Sequence, residues 1–208
     1  MGKDQAYADR LIGISAKRFK KILQPINPYR LHIRRIVSGS ILEVGSGIGR
    51  NLGYLDGQDV MGVDVNQVSV AYSVGLGYRA LSVADFELKK TDYCEAFDYL
   101  LFSHVLEHLD NSEALAILRE YLCYLKPGGG LVVICPQERG FLSDNTHVSF
   151  LESKDIQILL EAVDCRVITS RSFPLPRRTG KFFIYNETVV CGVKLERDLL
   201  SQTKTGSL

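Results

Sequence analysis

The chain has 208 residues, enough for one domain that buries a core without disulfides or metals. With 46% hydrophobic residues, 24% charged residues and a formal net charge of +1, the composition excludes intrinsic disorder and a basic coat for nucleic acid. No apolar run reaches the ~18 residues of a membrane-spanning helix, and the opening MGKDQAYADR carries charge where a signal peptide needs its apolar core. Cys94, Cys123, Cys135, Cys165 and Cys191 are odd in number, scattered and free of any C-x-x-C pair. That pattern predicts reduced thiols, several of them buried, in a cytoplasmic protein.

Charge is unevenly distributed. Residues 1–37 hold nine Lys or Arg against Asp4 and Asp9. Between Asp9 and Leu23, Leu11, Ile12, Phe19, Ile22 and Leu23 alternate with Lys17, Arg18, Lys20 and Lys21, which predicts a basic amphipathic helix. Pro25 and Pro28 stop it, and a second short helical pattern follows from Tyr29 to Val37. We therefore divide the chain into a basic N-terminal helical arm (1–38), a main domain (39–195) and a polar tail (196–208).

From residue 40, short apolar runs alternate with helical segments. SILEV, DVMGVDV, YRALSV, FDYLLFS and LVVIC read as strands. The clearest helix runs from Asn111 to Leu125, capped by Asn111 or Ser112 and ended by Pro127 and three glycines. Strands separated by helices imply a mostly parallel sheet with helices on both faces. After a helix over Ser153–Val163, CRVITSRSFPLP and KFFIYNETVVCGV have no helix between them, which predicts a terminal antiparallel pair.

The stretch ILEVGSGIGR joins the first strand to the first helix with Gly45, Gly47 and Gly49. A nicotinamide-type G-x-G-x-x-G starting at Gly45 requires glycine at position 50, where Arg50 stands, and no Walker loop occurs. Glu43 precedes the glycines, and Asp64 ends the second apolar run. This E-x-G-x-G-x-G pattern resembles the first motif of class I S-adenosylmethionine-dependent methyltransferases. FDYLLFSHVLEHL and LKPGGGLVVICP resemble the family's fourth-strand and fifth-strand motifs. The likeness runs in order from about residue 40 to 136. PYRLHIRRI, ICPQERGFLSDNTHVSF and FPLPRRTGKFFIYNE further resemble a largely actinobacterial group of such proteins with no assigned substrate.

The resemblance implies a Rossmann-like fold with a seven-stranded, mostly parallel sheet and an antiparallel last strand. It implies S-adenosylmethionine as cofactor and S-adenosylhomocysteine as product. Glu43 would meet the cofactor's ammonium group, beside the loop of Gly45, Ser46, Gly47 and Gly49. Asp64 and Val65 would hold the ribose, Asp85 and Phe86 the adenine, and Ser103 would contribute from the fourth strand.

Methyl transfer needs alignment of the acceptor, plus a base where the acceptor has a proton to lose. His104, Glu107 and His108 share one face of a helical turn, and with His147 they form the candidate catalytic set. Three readings stand side by side. A histidine, His104 or His147, acts as base; the four residues hold a divalent metal; or the residues are structural. Ubiquinone-pathway O-methyltransferases and small-RNA 2′-O-methyltransferases carry a similar E-x-x-E-H turn that holds metal. Here His104 replaces the first glutamate, which favours a softer ion.

Two further marks are set aside. Asn27-Pro28-Tyr29 resembles the N-P-P-Y turn of amine-methylating enzymes, but it precedes the first strand and holds one proline. Cys135-Pro136 reverses the order of the cytosine C5 enzymes, so Cys135 reads as a buried strand-end thiol. The expected partner is a small-molecule acceptor. It is anionic, phosphorylated or lipid-linked if Arg171, Arg177, Arg178 and Lys181 border its pocket. The arm allows peripheral membrane contact, and no stable nucleic acid partner is expected. The alternatives are an RNA methyltransferase that uses the basic arm and a non-catalytic cofactor-binding subunit. Oligomeric state is not legible.

Overall fold

The structure, a computed structural model, describes Asp9 and residues 27–196. The basic helix expected over Asp9–Leu23, apart from Asp9 itself, and the tail from 197 lie outside the described residues. The order of the seven strands in the sheet is β3-β2-β1-β4-β5-β7-β6, where β1 is Ser40–Val44, β2 Asp59–Asp64, β3 Ala80–Ser82, β4 Phe97–Ser103, β5 Leu125–Pro136, β6 Cys165–Phe173 and β7 Glu187–Lys194. Two compact units divide between Asp92 and Tyr93.

The first unit opens with α1, Pro28–Ile36. Asn27 caps it, accepting from Tyr29 N at 3.0 Å, with Pro28 in the first turn, where a missing N–H costs nothing. Asn27-Pro28-Tyr29 is therefore a helix start. Arg34 donates to the carbonyls of Tyr54 and Asp56, both at 3.0 Å, which fixes α1 beside α2, Arg50–Tyr54. Strands β1, β2 and β3 run parallel, with Glu43 opposite Gly62 and Asp64 opposite Ser82. Ile41, Leu42, Met61 and Val63 are fully or almost fully buried, as expected of parallel strands covered on both faces. Helix α3, Gln67–Gly75, is capped by Asn66, which accepts from Val68 N and Ser69 N. The short α4, Val83–Glu87, is capped by Ser82.

In the second unit β4 and β5 are parallel, while β7 runs antiparallel to both β5 and β6. The expected terminal antiparallel pair is present, and β7 begins at Glu187, six residues after Lys181, where the sequence run opened. Strand β5 begins earlier than LVVIC suggested. Leu125 pairs with Phe97 and Gly130 with Tyr99, so three extra residues bulge out of β5, and Gly128 takes φ +72 within the bulge. The glycines expected to end the preceding helix thus belong to the strand.

That helix, α5, is Asn111–Tyr121. Its cap is Asp110, not Asn111 or Ser112. Asp110 Oδ1 accepts from Ser112 N and Glu113 N, and Asp110 N donates in return to Glu113 Oε2, closing a reciprocal box. After β5 come α6, Glu138–Phe141, and α7, Ser153–Glu161. α7 buries Ile156, Leu159 and Leu160. All five thiols are free, with Cys135 and Cys165 buried. Among the described residues no helix is long and apolar enough to cross a membrane.

Candidate active site

In the first unit the chain leaves β1 and folds back on β2 at once. Gly45 N and Ser46 N both donate to Val63 O, at 2.8 and 3.1 Å. Gly45, Gly47 and Gly49 all have positive φ, from +54 to +78, a backbone that side chains with Cβ rarely adopt. Gly49 is constrained twice. Besides its φ of +78, an added Cβ would lie 2.8 Å from the Tyr78 ring and 2.9 Å from Ser73 Oγ.

Asp64 closes this turn. Its Oδ2 accepts from Gly47 N at 2.7 Å and its Oδ1 from Asn66 N at 2.8 Å. Burial raises its carboxyl above the usual carboxylate range, against the lowering effect of those two N–H bonds. A carboxylate has about four lone-pair directions, so each oxygen keeps one for a ligand. That pair of acceptors fits the two donating hydroxyls of a ribose.

Glu43 is 2% exposed and accepts from Asn51 Nδ2 at 2.6 Å. Asn51, on α2, was not singled out in the sequence, although its position eight residues after Glu43 in the same loop-helix stretch was visible. Ser46 is buried with its hydroxyl against Gly62, and Val65 is 83% exposed. Asp85 is exposed and accepts from Ser82 Oγ at 2.6 Å. Phe86 is fully buried in the core, so its ring presents no surface to an adenine in this structure.

In the second unit Ser103 is buried at the end of β4, and His104 follows with φ +60. The turn Leu106–His108 is 3-10 helical. His104 therefore leaves the strand in a left-handed conformation and does not join a helical face with His108. Its Nδ1 donates to Glu107 Oε1 at 3.1 Å and its Nε2 to Glu187 Oε1 at 2.9 Å. Burial works against the charge on the ring, but the hydrogen bonds and fields of Glu107 and Glu187 outweigh it and hold His104 up at about 9. At neutral pH the ring is an imidazolium with no lone pair for a substrate proton. Glu107 is fully buried; burial opposes its charge, yet the bond to His104 and the imidazolium's field hold it below the usual range.

Glu187 is the residue that the sequence did not reveal. It opens β7 opposite Pro136 and is 9% exposed. A buried amide network sets its position. Gln137 Nε2 donates to Glu187 O at 3.1 Å, and Asn186 Nδ2 donates to Gln137 Oε1 at 2.8 Å.

His108 and His147 come together without His104. Their ring centroids are 4.8 Å apart, and one ligand atom from each of Glu107, His108 and His147 lies within 4.8 Å of the other two. The loop carrying His147 is pinned to the turn by Val148 N and Ser149 N, which both donate to Glu107 O. Cys135 is 1% exposed, and burial, then the nearby Glu107 carboxylate, pushes its thiol well up; it is a strand-end thiol and not a nucleophile. Arg177, one of the four basic residues considered for an anionic acceptor, is bonded to Glu138 at 2.7 Å and to Glu152 at 3.0 Å.

The model of a family described as methyltransferase domain matches residues 14–170. No curated protein matches the chain significantly. Among solved structures, the chain is similar to an S-adenosylmethionine-dependent methyltransferase from Archaeoglobus fulgidus, at 17% identity over 80% of this chain and 93% of that one, with a TM-score of 0.65. A second, from Methanosarcina mazei, shares 20% identity over 79% of this chain and 97% of that one, with a TM-score of 0.60. The magnesium protoporphyrin IX methyltransferase of Synechocystis PCC 6803, solved with bound S-adenosylmethionine, shares 12% identity over 84% and 78%, with a TM-score of 0.56. At these identities the likeness is one of fold.

Proposed function

The chain belongs to the methyltransferase domain family, among the class I S-adenosylmethionine-dependent methyltransferases, and we propose that it methylates an oxygen or nitrogen of a small-molecule acceptor. The observation that carries the cofactor assignment is the buried Asp64 carboxylate, tied to Gly47 N and Asn66 N with one lone pair per oxygen to spare. We assign the ribose hydroxyls to Asp64, the ammonium group to Glu43, and close backbone approach to Gly45, Ser46, Gly47 and Gly49. Val65 and Asp85 complete the set at its margins, and Ser103, in the second unit, keeps the cofactor role that the family resemblance gives it. Phe86, being fully buried, would serve only by backing the loop.

S-adenosylmethionine supplies a methyl group already activated by its sulfonium and leaves as S-adenosylhomocysteine. The protein's tasks are then to align the acceptor and to receive the proton that a hydroxyl or amine gives up. The Glu107, His108 and His147 cluster meets the acceptor in this reading. His104 is a positioning residue, a cation that holds Glu107 and Glu187 in place. A phosphorylated or lipid-linked acceptor has weaker support than the sequence offered, because Arg177 is committed to two carboxylates. Arg171, Arg178 and Lys181 remain for that role.

Calorimetric titration with S-adenosylmethionine and S-adenosylhomocysteine tests the assignment. The wild type binds both in the micromolar range, and Asp64→Ala weakens both by more than tenfold, the scale of a lost charge-assisted hydrogen-bond pair. Unchanged affinity in a folded Asp64→Ala variant would place the cofactor elsewhere.

A further inference from the structure

We propose that Glu107, His108 and His147 form a binding site for one divalent transition-metal ion of the zinc class, and that His104 and Glu187 lie outside its ligand set. Two imidazoles and one carboxylate are supplied, and their ligand atoms already lie within 4.8 Å of one another. A tetrahedral site with bonds of about 2.1 Å needs ligand atoms about 3.4 Å apart. Side-chain rotations of about an ångström close the difference.

Three independent features of the cluster point to a ligand. First, Glu107 is fully buried, with Oε1 occupied by His104 and no N–H or O–H donor on Oε2, beside which only the weakly donating Cys135 thiol stands. A buried carboxylate oxygen left unmatched is costly unless something binds it. Second, both histidines are turned the same way round. His108 Nδ1 donates to Thr146 O at 3.2 Å, and His147 Nδ1 donates to Phe141 O at 2.7 Å. A proton held on Nδ1 by a carbonyl leaves Nε2 as the lone pair, which is how proteins present imidazole to a metal.

Third, the ligands are held from behind. The His147 ring stacks on Phe141, with centroids 5.2 Å apart and planes at 25°. Thr146, which receives the His108 proton, is itself fixed by Asp144 Oδ1 at its N–H and its hydroxyl, at 3.0 and 2.8 Å. Glu107 is oriented by His104, and His104 by Glu187. Each ligand thus has a partner that sets its direction, an arrangement that structural histidines do not require.

The donor set selects the ion. Calcium and magnesium take oxygen ligands almost exclusively, whereas nitrogen-rich sets favour zinc, cobalt, nickel and iron in the order of their intrinsic affinities. Three protein ligands leave at least one coordination position open, and His108 and His147 are both partly exposed. That position suits an oxygen or nitrogen of the methyl acceptor, a step that rests on the methyl-transfer reading. The binding of the metal does not.

The test uses the full chain, stripped with a chelator and dialysed, without S-adenosylmethionine. Cobalt(II) is titrated and its visible d–d absorption followed, and bound zinc is counted by elemental analysis after gel filtration. One equivalent per chain is expected for both ions, with no uptake of magnesium. His108→Ala and His147→Ala should each weaken cobalt binding at least tenfold while retaining S-adenosylmethionine binding, which also serves as the check of folding. Glu107→Gln should do the same with a smaller change in shape than alanine. Absence of stoichiometric cobalt or zinc uptake by the wild type overturns the proposal. So does unchanged uptake in both histidine variants. Failure of S-adenosylmethionine to bind, with metal uptake intact, overturns the cofactor assignment alone.

Discussion

The His104 imidazolium makes a pH-dependent contribution to stability whose sign and window follow from its two carboxylate partners. A histidine that titrates at 6.5 in the unfolded chain and at about 9 in the folded one contributes up to about 3 kcal/mol. The side chain keeps 28% exposure, and solvent screening reduces the figure to roughly 2 kcal/mol. The folded value is the higher one, so the contribution is fully present below about pH 6.5 and is lost as pH rises through about 9. At the acid end Glu107, held below its usual range, must stay ionised, so the plateau lies between about pH 4.5 and 6.5. Urea unfolding of chelator-treated protein at pH 6 and 8.5 measures the effect. Thiols of the unfolded chain begin to ionise near the upper limit, in the wild type and in a His104 variant alike, so their effect cancels in the comparison. His104→Asn is the reference, because asparagine tolerates the φ of +60 at this position. The wild type should lose about 2 kcal/mol more than His104→Asn between the two pH values, with the other histidines cancelling in the difference. The variant should also be less stable at pH 6 by on the order of 3 kcal/mol, since it leaves two largely buried carboxylates without their cation. Equal pH dependence in both proteins would refute the imidazolium clamp.

Two other perturbations have defined outcomes. Gly49→Ala places a Cβ at φ +78 and against Tyr78 and Ser73, so it should cost about 2–4 kcal/mol in urea unfolding; a loss under about 1 kcal/mol would mean that the loop relaxes freely. In the native protein a thiol-specific reagent at pH 8 should label the exposed Cys94 and Cys123 but leave Cys135 and Cys165 unlabelled. Burial pushes Cys165 up to about 12, and equal rates for buried and exposed thiols would contradict the packing.

Where a feature is written in a contiguous stretch, the sequence shows it. SILEV and FDYLLFS are the observed β1 and β4 residue for residue, because each is an apolar run closed by turn residues. The glycine loop, Glu43 and Asp64 were legible for the same reason, since the bond that ties Asp64 to Gly47 spans only 17 positions. The helix cap was misplaced by one residue, because Asp110, Asn111 and Ser112 are all good caps and only the reciprocal Glu113 bond selects Asp110. The start of β5 was missed because its bulge depends on the register with β4, which the local sequence does not carry. The two carboxylate partners of Arg177 were hidden for a related reason, as they lie 25 and 39 positions away.

Glu187 is the instructive omission. It stands 83 positions from His104, and an acid at the start of a strand gives no local signal. What brings it into reach is the antiparallel pairing of β7 with β5, which sets Glu187 beside Pro136. That pairing also changes the meaning of the H-x-x-E-H stretch. Read as a helical turn, it places His104, Glu107 and His108 on one face. With His104 at φ +60 and a 3-10 turn after it, the two histidines separate. One becomes a cation clamped between acids, and the other joins His147 with its Nε2 lone pair available. The same five letters thus carry two different chemistries, and the backbone angle of His104 decides which residue takes which. A substitution that forced position 104 into a right-handed conformation, such as a β-branched residue, would be expected to disturb Glu107 and Glu187 first, and His108 only through Glu107.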